Sequence, residues 1–578
     1  MKTSVLNWMA VIIIAGAVVS CKKKGGSDAP EQPVNPVDPP VIQPAVDPPL
    51  ANTIGFFMDD WQPKTFTPPP YSAATPGTVA YTVTVDRSVV ITKVPRSLFG
   101  NNANLWMTQI VTEPALLTHT TNIHPHLIRF PGGSISDVFF WNAPNNTPPA
   151  NAPSTLLNAD GTTSTTGFWY GKNNDSWTLS VDNYYNLLQQ TGNKGLITIN
   201  YGYARYGKGP NPVSVAAHLA ADWVRYDNGR TKYWEIGNEN FGDWEAGYRI
   251  RTADNQDGQP EILTGQLYGK HFKVFADSMR KAAQEIGTTI KIGAVMVEGV
   301  SPSYATNTHK TWNTGLFGEV GSSPDYYVVH NYYTAYQTNA GAAEILATAA
   351  TETKKMMDYI KQTLPGLGAA IRPVALDEWN IFSTGSMQQV SHVNGLHADL
   401  ILGELLENQF GMSSRWDMAN AWENGNDHGM FSQGEAASGE TKWQPRPAFY
   451  HMYFFQKFLG DRMVSSSHSV PDMETYASSF TSGETAIALV NKGTSSRGIS
   501  IDVKNFNKGA RYYWYTLTGG TDNGEFSRKV FVNGAGPSGV AGGPSNYASL
   551  SASSALTANG VKVTVPARAA VFLVIDKQ

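Results

Sequence analysis

Between Leu98 and Gly460 short apolar runs alternate with stretches of helical period, the signature of parallel strand–helix units. SLFGNNANLW opens the series, and HLIRFPGG follows the helical stretch EPALLTH. KGLITINYG comes after DNYYNLLQQTG, and KYWEIGNEN after VSVAAHLAADWVRY. IKIGAVMVEG follows LYGKHFKVFADSMRKAAQEIG, in which Phe272, Phe275, Met279, Ala282 and Ile286 recur at helical spacing. YYVVHNYY, RPVALDEWN and SRWDMANAW complete eight strand candidates, and RPAFYHMYFFQKFLG supplies a last helix. The pattern predicts an α/β fold, a (β/α)8 TIM barrel over residues 98–460, with insertions at Ser134–Ser176 and Phe241–Glu261 on the C-terminal side of strands two and four. A doubly wound open sheet would not use so many units, and no GxGxxG turn follows the first strand.

After Asp461 the period shortens. ETAIALVNK, GISIDVKNF, ARYYWYTLT, GVKVTVP and AAVFLVID alternate residue by residue between Gly-, Ser- and Asn-rich turns. Residues 461–578 are therefore expected to form an antiparallel β-sandwich, which strands from residues 51–97, notably YTVTVDRSVVIT, are expected to join.

Composition fits this picture, with 41% hydrophobic and 16% charged residues in a 578-residue chain. The 15 Trp, 26 Tyr and 24 Phe exceed what a core needs and suit platforms for sugar rings. A net charge of −4 without a basic block in the folded part argues against a nucleic-acid partner. The single cysteine, Cys21, excludes an intramolecular disulfide and a cysteine-based metal site. It follows an apolar run, Trp8–Ser20, shorter than the ~20 residues of a spanning helix and preceded by Lys2, as in a secretory signal peptide. Val18-Val19-Ser20-Cys21 resembles the lipobox of bacterial lipoproteins, which implies lipidation at Cys21 and a membrane partner through that anchor. An exported lipoprotein of the outer membrane or cell surface is expected. Residues 22–50 are proline-rich and read as a semi-rigid linker.

The chemistry lies at two strand tips. In YWEIGNEN, Gly237 ends the fourth strand and places Glu239 at the end of a barrel where active sites gather. In RPVALDEWN, Glu378 ends the seventh. Glycoside hydrolysis needs such a pair, one carboxyl to protonate the leaving oxygen and one to attack the anomeric carbon or activate water.

With IRFPGG (128–133), EIGNEN (235–240), VVHNYY (328–333) and LDEWN (376–380) in this order, the sequence resembles the retaining glycoside hydrolases of clan A. It is most similar to the α-L-arabinofuranosidases of family 51, over roughly residues 85–578. The resemblance implies Glu239 as acid/base and Glu378 as nucleophile, with Asn238 bound to the sugar 2-hydroxyl. It implies that Arg129 lies beside Glu378 and keeps it ionised while Glu239 holds the proton, that Tyr332 donates to Glu378, and that His330 lines the site. The family's Glu-His pair near the first strand is missing from FGNNANLW, where Asn101, Asn102 and Asn104 stand instead. The eighth strand, MANAWENGNDHG, also departs from the family, and Trp422 is expected to floor the sugar site. The expected substrates are plant or algal polysaccharides or their oligosaccharides, cleaved in an arabinofuranosidase-like way. The alternatives are a xylosidase-like, heparanase-like or agarase-like enzyme of the same clan, or a surface lipoprotein that binds glycans without cleaving them. The last would be expected to have lost one of the two glutamates. Asp377, Glu235 and Glu245 are expected to be solvated or salt-bridged, and His119, His124 and His126 to lie on a surface loop. No phosphate loop, zinc motif or Ser-His-Asp order occurs, so no cofactor or metal is expected.

Overall fold

A computed structural model describes residues 42–124, 126–336, 338–383, 388–422 and 427–578. Cys21, the apolar run before it and most of the linker lie outside the described residues. Among the described residues no helix is long and apolar enough to cross a membrane.

Eight parallel strands close a barrel in chain order: Gly100–Asn102, Leu127–Phe130, Lys194–Ile199, Tyr233–Ile236, Lys291–Val295, Tyr326–Asn331, Val374–Trp379 and Met412–Arg415. The last pairs with the first through Ser414 opposite Gly100, where a β-carbon would lie 2.2 Å from the Ser413 carbonyl. Inward positions two residues apart form layers. The lower layer is apolar: Leu127, Leu196, Tyr233, Tyr326, Ala375 and Met412, closed from below by Phe57 of the short helical turn Gly55–Met58. Tyr326 takes the space that a side chain at Gly293 would fill. The next layer up is polar, with Arg129, Thr198, Glu235 and Asp377, all buried.

The helix expected around Phe272 runs Gly265–Glu285, its first turn capped by the Thr264 hydroxyl accepting from the Leu267 N–H. His392–Glu407 and Pro447–Phe458 are buried nearly all round. A helix without a polar face must be covered on every side. These two are covered by the barrel on one side and the C-terminal sheet on the other, where Tyr476 of the sheet donates to Glu404 (2.9 Å) and the Phe454 and Phe572 rings stack.

The second sheet corrects the expectation of a purely antiparallel sandwich. It has eleven strands and is mixed. Two N-terminal strands make its parallel pairs: Tyr71–Ala73 beside Ala552–Leu556, and Tyr81–Lys93 beside Arg497–Lys504. Both arrive from the far end of the chain, so no hairpin fixes their direction. The inward residues Val83, Val85, Ile487, Ile501, Val563 and Leu573 share one core. The end of the proline-rich stretch lies against this sheet, with Asp47 accepting from Arg462 (2.6 and 3.1 Å) and Val46 bridging Val89.

Candidate active site

The polar layer continues upward into a network centred on Arg129. Its Nε donates to Glu235 (2.6 Å), Nη1 to Glu378 Oε2 (2.9 Å) and Asn102 Oδ1 (3.0 Å), and Nη2 to Asn238 Oδ1 (2.9 Å). Asp377 lies 3.8 Å from Nε. A guanidinium suits this place because its planar fork can serve several acceptors at once.

Local backbone explains how the two glutamates meet. Gly237 has φ 79°, and a β-carbon there would sit 1.9 Å from Asn240 Oδ1. Only glycine allows that turn. Glu239 follows in the left-handed region at φ 42°, uncommon for a side-chain-bearing residue and typical of functional sites. On the seventh strand, Val329 pairs Leu376 but His330 pairs Glu378, so Asp377 is the extra residue of a bulge. Two carboxylates thereby reach one histidine, an aiming role that bulges often serve beside active sites.

His330 holds the centre. Its Nδ1 is 2.8 Å from Glu239 Oε1 and 3.8 Å from Glu378 Oε2, and its Nε2 is 3.2 Å from Asp377 Oδ1. Burial alone would lower its pKa, but the charges of Glu378 and Glu239 and the bonds to Asp377 and Glu239 raise it well above the usual 6.5. With carboxylates on both ring nitrogens, it is an imidazolium. One oxygen or nitrogen each of Glu239, His330 and Glu378 lies within 4.8 Å of the others, a spacing that a cation would accept. Here the imidazolium itself supplies that positive charge.

Glu378 Oε1 accepts from the Tyr332 hydroxyl (2.8 Å), and Glu239 Oε2 from the Trp244 indole (3.1 Å). Burial works to raise Glu239, but the hydrogen bond and charge of His330 and the bond from Trp244 pull it down. Burial and the Glu239 charge push Glu378 up, against the pull of His330, Arg129 and Tyr332. Arg129 thus lies beside Glu378 and its charge favours the ionised form of that carboxyl.

Glu235 and Asp377 are buried partners in this network rather than solvated groups. Burial and the neighbouring Asp377 charge push Glu235 up to about 8 against the pull of Arg129. Burial would raise Asp377 too, but Arg129 and His330 hold it below its usual range. Glu245, also buried, accepts from Ser134 (2.7 Å) and from the Asn238 amide (3.0 Å), and burial keeps it protonated well above the normal range. Asn238 is therefore clamped between Arg129 and Glu245.

Of the asparagines after the first strand, Asn102 joins the network through Arg129 and donates to the Asp377 carbonyl (3.0 Å). Asn104 donates to Asp417, a carboxyl that burial pushes up to about 7. Asn101 is buried, and its side-chain amide makes no hydrogen bond among the described residues. The three histidines do not converge: His126 pairs with Asp60 (3.1 Å), His124 with Arg96 (3.4 Å) and His119 with Tyr547 (2.9 Å).

Trp422, expected to floor the sugar site, has its ring under Arg528 and Arg446, 4.7 and 5.6 Å from the guanidinium carbons. The indole beside Arg129 is Trp416, which a β-carbon on Gly133 would meet at 2.5 Å. Trp416 follows directly on the eighth strand, so the strand-tip rule that singles out Glu239 and Glu378 would have found it. Trp244 and Glu298 were also missed. Glu298 sits just past the fifth strand, where burial and the Glu239 charge push it up to about 7. Neither carries a sequence signal beyond lying in a loop at the C-terminal face.

No protein-family model and no curated protein matches the sequence. Solved structures do. An α-L-arabinofuranosidase from Thermotoga maritima, in its arabinose complex, is 17% identical at TM-score 0.58, covering 86% of this chain and 99% of that one. AbfB, a family 51 α-L-arabinofuranosidase from Bifidobacterium longum, is 14% identical at TM-score 0.60, covering 86% and 100%. The fold is that of the family 51 arabinofuranosidases. A Paenibacillus polymyxa xyloglucanase of glycoside hydrolase family 44 shares it at 11% identity and TM-score 0.54, again over 86% and 100%. So one architecture holds arabinofuranosidases and a xyloglucanase alike, and the fold does not choose between them.

Proposed function

We propose that this protein is a glycoside hydrolase that cleaves O-glycosidic bonds of plant or algal polysaccharides with net retention. The observation that carries this reading is the pair Glu239 and Glu378, with oxygens within 4.8 Å of each other at the tips of strands four and seven. Retaining enzymes hold their carboxyls ~5–5.5 Å apart, whereas inverting ones leave ~6.5–9.5 Å for a water. Glu378 attacks the anomeric carbon while Glu239 gives its proton to the departing glycosidic oxygen. Water then attacks the glycosyl–enzyme ester, Glu239 takes a proton from it, and Glu378 leaves as a carboxylate. Asn238, clamped by Glu245 and Arg129, has an amide N–H left for the sugar 2-hydroxyl.

His330 lies between the two carboxylates, its Nδ1 2.8 Å from Glu239 and 3.8 Å from Glu378. A shift of its Nδ1–H from Glu239 towards Glu378 favours the charged form of the nucleophile and frees Glu239 to hold the proton. An arabinofuranoside-like sugar is the first substrate to test, given the structural neighbours. The Cys21 lipobox motif supports an exported lipoprotein whose catalytic body stands off the membrane on its proline-rich linker.

The test is NMR observation of the first-formed sugar on a panel of aryl glycosides (arabinofuranoside, xyloside, galactoside and glucuronide) and on polysaccharides. A retained anomer is expected, lost in Glu378→Gln and partly rescued by azide in Glu239→Ala on a substrate with a good leaving group. An inverted first product overturns the reading.

A further inference from the structure

Four indoles are linked by successive tilted or edge-to-face ring contacts, at interplanar angles of 74°, 59° and 61°, from beside Arg129 to the half-exposed Trp177. Trp416 sits beside Arg129, its ring centre 6.4 Å from that of Trp106 in the loop after the first strand. Trp106 lies 6.4 Å from Trp169, and Trp169 5.8 Å from Trp177, the former in the insertion after the second strand and the latter directly after it. Successive steps are comparable to the length of one monosaccharide. Trp223, Trp234, Trp312 and Trp379 are fully buried, but none of these four is, and Trp177 is 50% exposed.

The line is built to hold its shape. The Trp106 indole donates to the Ala419 carbonyl (2.9 Å), the Trp177 carbonyl accepts from the Thr108 N–H (3.1 Å), and Trp169 pairs with Phe139 in a short parallel ladder. Three loops are thereby tied together, and such preorganisation lowers the cost of binding. Packing alone would not leave a terminal indole half in water. Elsewhere Lys or Arg side chains cover the faces of Trp61, Trp422 and Trp443, whereas among the described residues no cation lies over these four. The nearest fixed charge to Trp177 along the chain is Asp175, an anion.

Direction follows from the roles proposed above, on which this inference rests. Glu239 protonates the leaving group, so the aglycone lies on its side, where Trp244 is 58% exposed. Trp416 and the line beyond it then lie on the glycone side. We infer that Trp106, Trp169 and Trp177 are extended glycone subsites for an uncharged glycan chain, and that the enzyme cleaves within chains instead of removing single terminal sugars. Aromatic rings take the apolar faces of sugars without needing a charge, and Asp175 disfavours an acidic chain.

The experiment uses xylo- and cello-oligosaccharides from disaccharide to hexasaccharide with the full chain and its Trp177→Ala and Trp169→Ala variants. The loss in kcat/KM is expected to grow with chain length, reaching about tenfold, or 1.4 kcal/mol, on the longest. Trp177→Phe should recover part of it, and thermal melts should match the wild type. Equal losses at every length, no loss at any, or preference for uronic-acid chains overturns the inference. Binding of the same sugars to Glu378→Gln, followed by calorimetry, separates the two readings. Affinity that rises with length and falls in Trp177→Ala, in a protein that cleaves nothing, sinks the hydrolase reading and keeps the subsites. Cleavage by the wild type with single sugars as its sole product, at rates independent of length, does the reverse.

Discussion

The two ends of the barrel are made from the same eight strands, yet they solve opposite problems. At the lower end Leu127, Leu196, Tyr233, Tyr326, Ala375 and Met412 meet Phe57 in an apolar cluster, where the buried Tyr326 hydroxyl donates to the Trp234 carbonyl (2.8 Å). Two residues further along the same strands, Arg129, Thr198, Glu235 and Asp377 are just as buried. The lower end is stabilised by removing surface from water, which tolerates hydrophobic replacements of similar size. The upper end sequesters charges, which is costly unless each finds a partner. The comparison teaches that burial alone says nothing of function here; what marks the working end is burial of groups that would rather be hydrated.

That contrast can be broken at several points. The largest effect is expected from Glu378→Gln, which should abolish turnover while leaving the fold intact; kinetics beside a melting curve would check both. Glu239→Ala should lower kcat by about 10²–10⁴ on substrates with poor leaving groups, the usual worth of a general acid. Arg129→Ala should cost stability, about 3–5 kcal/mol, because it strands buried carboxylates. It should also move the acidic limb of the rate profile to higher pH, since removing a cation raises the Glu378 pKa. Denaturant melts and a pH–rate series read the two effects, and an unmoved acidic limb would detach Arg129 from the nucleophile. Phe57→Ala at the other end should cost a similar ~3–5 kcal/mol by leaving a cavity, with the pH profile unaltered. If it shifts that profile, the ends are not separable.

The smallest effect concerns pH and stability. The folded pKa of His330 is raised, so its contribution is fully present below the unfolded value of about 6.5. It is withdrawn as pH rises through the raised folded value. Melting curves of His330→Gln should therefore show a weaker decline on the alkaline side than wild type; an identical decline would mean that His330 does not carry the charge.

The strands and the two glutamates were legible because hydrophobic period and strand-tip position are both local properties. Seven of the eight barrel strands fall within their predicted runs, the eighth, Met412–Arg415, overlapping SRWDMANAW only at Ser414 and Arg415, and Glu239 and Glu378 lie close together. What was hidden depends on register and distance. The bulge at Asp377 skips one partner on the neighbouring strand, and no alternation pattern reveals it. Asp377 and Glu235, expected to be salt-bridged or solvated, are salt-bridged; that they are also fully buried was hidden, because a sequence does not show that inward positions above an apolar layer remain dry. The parallel pairs of the second sheet escaped notice because their partners lie at opposite ends of the chain. Trp422 is the expected floor in a stretch that departs from the family, whereas Trp416 occupies the strand tip. The shared contact of Glu239 and Glu378 with one histidine depends on distances that spacing cannot supply.

The strand Tyr81–Lys93 lies between Arg462–His468 and Arg497–Lys504, and this has a consequence for how the protein comes to exist. During synthesis that strand emerges early and must wait, unpaired on both edges, until almost the whole barrel has followed it. Its apolar residues Val83, Val85 and Val90 stay without a core for that time. Non-local pairing of this kind is slow and exposed to aggregation. The barrel gains no independence in exchange, because His392–Glu407 and Pro447–Phe458 need the late-made sheet to cover them. Fragments ending near Asp461 should therefore depend on holding chaperones, and the terminal residues act as the clasp that commits the entire chain to its native state at once.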